Sequence, residues 1–196
     1  RQVMALVNYE KELLEWNQKF NLTAIRDSES IRTKHFLDSF SCVLAWKASP
    51  PDHLIDVGTG AGFPGIILSI LFPDHCISLI DSSRKKALFL NLVKKNLGLV
   101  NCNIVNDRIE NLFNQNNLIV KYIMARALAP LPKLIELAKS FIEDDSRLFT
   151  IKGADFKNSA ERNFLNNKQI QIIPIYKPWL EFSSYMNHKI LIEYRF

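Results

Sequence analysis

With 196 residues, 47% of them hydrophobic and 23% charged, the chain has the make-up of an ordinary globular domain that needs neither disulfides nor metal to fold. Twenty-five basic residues against 20 acidic ones give a net charge of +5, which admits a polyanionic partner without requiring one. Cys42, Cys76 and Cys102 match no metal-ligand spacing, no apolar run is long enough to span a bilayer, and no signal-type apolar segment follows Arg1-Gln2-Val3-Met4. A reducing, cytoplasmic setting is expected, with free thiols, no membrane partner and no bound metal. The chain opens on Arg1, so native residues are expected to precede it.

The first fifty residues carry only helical signals. Val3, Leu6, Leu13, Leu14 and Phe20 recur at near-helical spacing and predict a helix over 2–20. Asp27 or Ser28 can cap a second helix over 29–46, and Ser49-Pro50-Pro51-Asp52 ends it. Residues 1–50 thus read as a helical cap on a main domain over 51–196.

After Pro51 short apolar runs alternate with helical stretches. Strands are expected at 53–57, 76–81, 102–105, 122–126, 147–151, 169–176 and 189–194. Helices are expected at 64–71, 84–97, 109–113, 131–142 and 155–166, with the Asn-rich stretches 111–117 and 163–167 read as loops. Such alternation implies an α/β fold: a seven-stranded, mainly parallel sheet with helices on both faces. The last two strands have no helix between them, so the sheet should end antiparallel. Pro64 suits a first helical turn, and Gly98 suits the cap of the helix before it.

The strongest local signal is Asp56-Val57-Gly58-Thr59-Gly60-Ala61-Gly62-Phe63-Pro64-Gly65, a strand that runs into spaced glycines and then a helix. Gly58, Gly60 and Gly62 permit a sharp turn and let a ligand reach bare backbone. Two ligand classes use such a loop, a dinucleotide and S-adenosylmethionine. Asp56 lies two residues before the first glycine, where it would repel a pyrophosphate and favour an ammonium or sulfonium. Asp81 ends the next strand, where a carboxylate can accept ribose hydroxyls in either case.

Other charged residues offer weaker signals. Arg126 ends the fourth strand at the ligand-facing edge and suits an RNA phosphate, a base edge or the cofactor region. Lys152 ends the fifth strand and suits a phosphate. His35 and Asp38 share a helix face, either fixing the cap against the sheet or serving the site directly. Asp107, at the end of the third strand, either meets an adenine amino group or is a plain loop carboxylate. Lys19, Arg26, Arg32, Lys34, Arg84, Lys85, Lys86, Lys94 and Lys95 form basic clusters that suit RNA steering as well as plain solvation. Trp179 stands out as an aromatic in a loop.

The glycine segment, with Trp16 to Thr23, His35-Phe36-Leu37-Asp38-Ser39, Asp81 to Lys86, Arg108-Ile109-Glu110, Ala125-Arg126-Ala127 and Ile151-Lys152-Gly153, resembles the bacterial small-subunit ribosomal RNA guanine-N7 methyltransferases, also called glucose-inhibited division protein B. The resemblance spans about residues 16 to 153 and departs where His188 replaces a usual arginine. It implies a Rossmann-like class I methyltransferase fold with an N-terminal helical cap, and S-adenosylmethionine as cofactor. Cofactor contacts are implied at Gly58, Phe63, Ile109, Glu110 and Arg126, beside the Gly60, Gly62 and Asp81 of the loop reading. The implied substrate is 16S ribosomal RNA, free or in the assembling small subunit, with Arg126, Lys152 and His35 as expected RNA contacts and a monomer as the expected form. An RNA-binding protein on a methyltransferase scaffold and a nicotinamide-dependent oxidoreductase are the rival readings.

Overall fold

The structure is a computed structural model that describes residues 1–46, 51–116, 120–139, 142, 144–153, 156, 161, 163, 167–175 and 189–196. Its seven strands are β1 His53–Val57, β2 Cys76–Ile80, β3 Cys102–Val105, β4 Tyr122–Arg126, β5 Arg147–Lys152, β6 Ile170–Pro174 and β7 Ile190–Arg195. They form one sheet in the order β3-β2-β1-β4-β5-β7-β6. The first five strands run parallel, and β7 is antiparallel to both β5 and β6. The apolar run Ile190-Leu191-Ile192 suits the inner position of β7, buried on both faces. Gln171 and Pro174 suit the edge position of β6, where a missing amide breaks no ladder.

Among the described residues, six helical elements flank the sheet. α1 is Gln2–Phe20, α3 Gly65–Leu71, α4 Arg84–Leu97, α5 Ile109–Asn116 and α6 Leu131–Ala138. α2 is one continuous helical segment of mixed pitch: α over Ser28–Ser30, π over Ile31–Phe36, α over Leu37–Ser41 and 3₁₀ over Cys42–Ala45. α1 to α4 pack on one face, where Tyr9, Leu13, Phe36, Phe63 and Phe89 join Leu54 and Leu79 in a single apolar cluster. α5 and α6 cover the other, where Ile109, Leu134 and Ile135 meet Ile55, Ile80 and Ile123. Among the described residues no helix is long and apolar enough to cross a membrane.

Five local features differ from the sequence reading. The buried stripe of α1 is Tyr9, Leu13 and Asn17, whereas Val3 is 71% exposed. α2 contains a π turn, closed by the Leu37 amide on the Arg32 carbonyl, where a regular α-helix was expected. The Asn-rich stretch after Ile109 is helical up to Asn116, because Ile109 and Leu112 sit three apart on the sheet-facing side. α6 ends at Ala138, and Pro64 precedes α3 as its cap. Gly98 caps α4 with φ 65°. Trp179, His188 and most of the helix expected over 155–166 lie outside the described residues.

Candidate cofactor site

β1 has β2 on one side and β4 on the other, so the crossovers diverge at its C-terminal end. Open α/β sheets bind ligands at such a switch point. An open cavity of about 430 Å³ lies there, walled by Val57 and Gly58, by Asp81 and Ser82 after β2, by residues 107–110 after β3, and by Ala127 and Leu128 after β4. Gly58 has φ 67°, and a Cβ there would come within 2.6 Å of Leu128 Cδ1. The Gly58 and Thr59 amides both donate to the Ile80 carbonyl, at 2.9 and 3.1 Å, which stitches the loop to β2. Asp81 is aimed at the loop: it accepts from the Gly60 amide at 2.9 Å and the Ser83 amide at 2.8 Å, with the Lys86 ammonium 3.4 Å away.

The opposite side of the loop faces the core. The Asp56 carboxylate is fully buried and accepts from Thr59 Oγ1 at 2.6 Å and the Gly65 amide at 2.8 Å. Its Oδ1 has no partner among the described residues, and burial pushes the carboxyl up to about 6. Asp56 is thus a strut inside the loop and does not wall the cavity. The carboxylates that wall the cavity are those of Asp81, Asp107 and Glu110. From α1, the buried Tyr9 hydroxyl donates to the Ala61 carbonyl at 2.7 Å. A Cβ on Gly62, where φ is 106°, would press on Ile66, Leu90 and Tyr9 at 2.5–2.9 Å.

Next to the loop, Arg126 joins the sheet to α2. Its Nη2 donates to His35 Nδ1 at 2.8 Å, its Nη1 lies 3.2 Å from Asp38 Oδ2, and its guanidinium lies 5.5 Å from the Phe63 ring centre. His35 stacks on the same ring at 4.5 Å. Burial, then the Arg126 charge, push His35 down to about 3, so the ring is neutral. Arginine can only donate, so Nδ1 is the acceptor and Nε2–H donates to Thr23 Oγ1 at 2.9 Å. Lys189 also reaches Asp38, at 3.5 Å.

The family described as rRNA small subunit methyltransferase G matches residues 2–174. The ribosomal RNA small subunit methyltransferase G of Caldanaerobacter subterraneus subsp. tengcongensis is 38% identical over 184 residues, 92% of this chain and 77% of the relative. The chain belongs to this family. The namesake from Alkaliphilus metalliredigens is 40% identical over 164 residues, 83% of this chain and 69% of its own. In fold, the chain is similar to an O-methyltransferase from Bacillus cereus in complex with SAH, with a TM-score of 0.64 at 13% identity over 96% of this chain and 91% of that one.

In this chain the cavity brings together six of the residues singled out in the sequence: Gly58, Asp81, Lys86, Asp107, Ile109 and Glu110. Gly60 adjoins it through Asp81 and Lys86. Gly62 and Phe63 lie behind the loop in the core, and Arg126 and His35 lie in the joint beside it. Lys152 stands apart: its ammonium is held by the Ala129 carbonyl at 3.2 Å and the Glu161 carboxylate at 3.1 Å. The sequence reading missed Tyr9, Asn17, Thr59 and Leu128. Helical spacing from Leu6 and Leu13 was the available signal for Tyr9; Leu128 had none, since its place follows from Ala127, a non-glycine residue at φ 53°.

Proposed function

We propose that this chain transfers a methyl group from S-adenosylmethionine to N7 of a guanine in 16S ribosomal RNA. The observation that carries the choice of cofactor is where the loop's amides go. In a dinucleotide site the first amides of the helix after the loop point at a pyrophosphate. Here the Gly65 amide donates to Asp56, the Ile66 amide to the Gly62 carbonyl and the Phe63 amide to the Thr59 carbonyl, so the protein uses them itself. The cavity instead sets three carboxylates, Asp81, Asp107 and Glu110, against two cations, Lys86 and Arg108, a balance that suits a ligand with an ammonium and a sulfonium.

Bound S-adenosylmethionine supplies an electrophilic methyl on a positively charged sulfur. The bare backbone at Gly58 allows close approach, Asp81 at the tip of β2 is placed to accept from a ribose diol, and Ile109 gives an apolar wall. Guanine N7 carries a lone pair and no proton, so no side chain has to act as base. The protein's task is to hold the guanine in line with the methyl. Arg126, fixed between α2 and Phe63, keeps the joint beside the loop rigid. Residues 1–50 act as the cap over the 51–196 domain, and the protein works as a monomer on RNA, free or in the assembling subunit. The test is transfer of labelled methyl to small-subunit RNA from cells lacking this protein, followed by nucleoside analysis. Label in 7-methylguanosine supports the reading; label in another nucleoside, or none, overturns it.

A further inference from the structure

Two of the basic clusters meet at one edge of the cavity. The C-terminal end of α1 touches the N-terminal end of α4, where Lys85 Nζ donates to the Phe20 carbonyl at 2.8 Å. The next residue, Lys86, lies beside Asp81 and lines the cavity. Lys19, Arg26, Arg84 and Lys85 are all exposed around this junction. In their midst Phe20 is 41% exposed. Its ring meets Trp16 at 5.0 Å and Trp16 meets the buried Phe89 at 5.7 Å, both in tilted contact, so a row of aromatic rings leads from the core to the surface.

The backbone here is also held in place. Asn17, buried in α1, donates to the Ile25 carbonyl at 2.9 Å and accepts from the Thr23 amide at 2.8 Å. Arg26 is steadied by Asn21 Oδ1 at 3.0 Å. The neighbouring carboxylate of Asp27 is engaged in capping α2 through the Ser30 amide at 2.7 Å. Exposed cations beside an exposed aromatic ring that packs on Trp16 fit single-stranded nucleic acid: phosphates meet the cations, and an unpaired base stacks on the ring.

We infer that Phe20, at the junction that also exposes Arg26, Arg84 and Lys85, is a stacking platform that docks an unpaired base of the ribosomal RNA next to the cavity. This rests on the RNA-methyltransferase reading above and adds to it the surface that takes the substrate. Phe20→Leu keeps an apolar cover over Trp16 and removes the aromatic face; Phe20→Tyr keeps both. Phe20→Leu should weaken binding of small-subunit RNA by about fivefold to a hundredfold, with Phe20→Tyr near wild type. Affinity for S-adenosylmethionine, measured by calorimetry, should stay unchanged in both. Arg26→Gln and Arg84→Gln should each flatten the slope of log affinity against log salt by about 0.7, as loss of one single-strand phosphate contact does. RNA binding by Phe20→Leu equal to wild type, or by Phe20→Tyr as weak as Phe20→Leu, overturns the platform while leaving the methyltransferase intact. A wild-type protein that transfers no methyl to this RNA overturns the function and the platform together.

Discussion

The two sides of the glycine loop differ although they share one motif. On the cavity side, a Cβ on Gly58 would first meet Leu128, a side chain that is itself 41% exposed. On the core side, Gly62 is wedged between Ile66, Leu90 and the Tyr9 hydroxyl, and Gly65 between Leu79 and Asp56. Glycines in one short segment therefore answer two demands. The first group leaves backbone open to a ligand; the second lets α1 and α3 close on the sheet. A motif match cannot separate the two, but substitution can.

Gly62→Ala should show the largest effect. The new Cβ meets three neighbours below 3.0 Å, and Tyr9 cannot swing away without giving up its bond to Ala61. Overpacking together with a positive φ of 106° should cost about 4 kcal/mol, read as a fall in the urea midpoint. Arg126→Ala comes next. It removes a guanidinium from the buried Asp38, to which Lys189 remains as a partner, so about 3 kcal/mol is expected, at the low end for a broken buried pair. Gly62→Ala as stable as wild type would mean that the core side is not close-packed.

The loop and the joint should also respond to pH with opposite sign. Asp56 rises from 3.8 to about 6 on folding, so the folded state holds the extra proton. Its contribution is fully present below the unfolded value and is lost as pH rises through about 6. His35 falls from 6.5 to about 3, so its contribution is present above 6.5 and is lost as pH falls toward 3. At about 1.4 kcal/mol per pKa unit, these shifts amount to about 3 kcal/mol for Asp56 and about 5 kcal/mol for His35 over their full windows. Between pH 4 and 6 the two slopes oppose each other. The slope of urea midpoint against rising pH across that range should be more positive in Asp56→Asn than in wild type, and more negative in His35→Asn. Equal slopes in all three proteins would show that neither group titrates with folding.

Much of this architecture is legible in the residues, and the exceptions share a cause. Strands β1 to β5 follow from apolar runs bounded by turn residues, and Gly98 ends α4 because its φ of 65° favours glycine. The insertion of β7 between β5 and β6 depends on pairing between strands distant in sequence, which local pattern does not encode. Tyr9 and Asn17 escaped because counting apolar residues overlooks polar ones buried to bind a loop. The direction of Asp56 was readable in principle. Side chains alternate along β1, so Asp56 points with Leu54 toward α1 and α3, away from the face of Ile55 and Val57. Phe20 went the other way: its spacing suits the apolar stripe of α1, but the helix ends there and leaves the ring at the surface.

Gly58→Ala should have the smallest effect on stability and is the sharpest test of the difference between the two sides. The added Cβ would fall 2.6 Å from a Leu128 methyl, at the far end of a partly exposed side chain that can rotate aside. The remaining cost is the left-handed backbone, about 1 kcal/mol. Because the same Cβ would stand where backbone borders the cavity, affinity for S-adenosylmethionine should fall at least about tenfold, a loss of about 1.4 kcal/mol. Calorimetry and urea melts on one preparation separate the two quantities. A large loss of stability with unchanged affinity would make Gly58 a packing glycine like Gly62, and the cavity side would then need another reason for its open backbone.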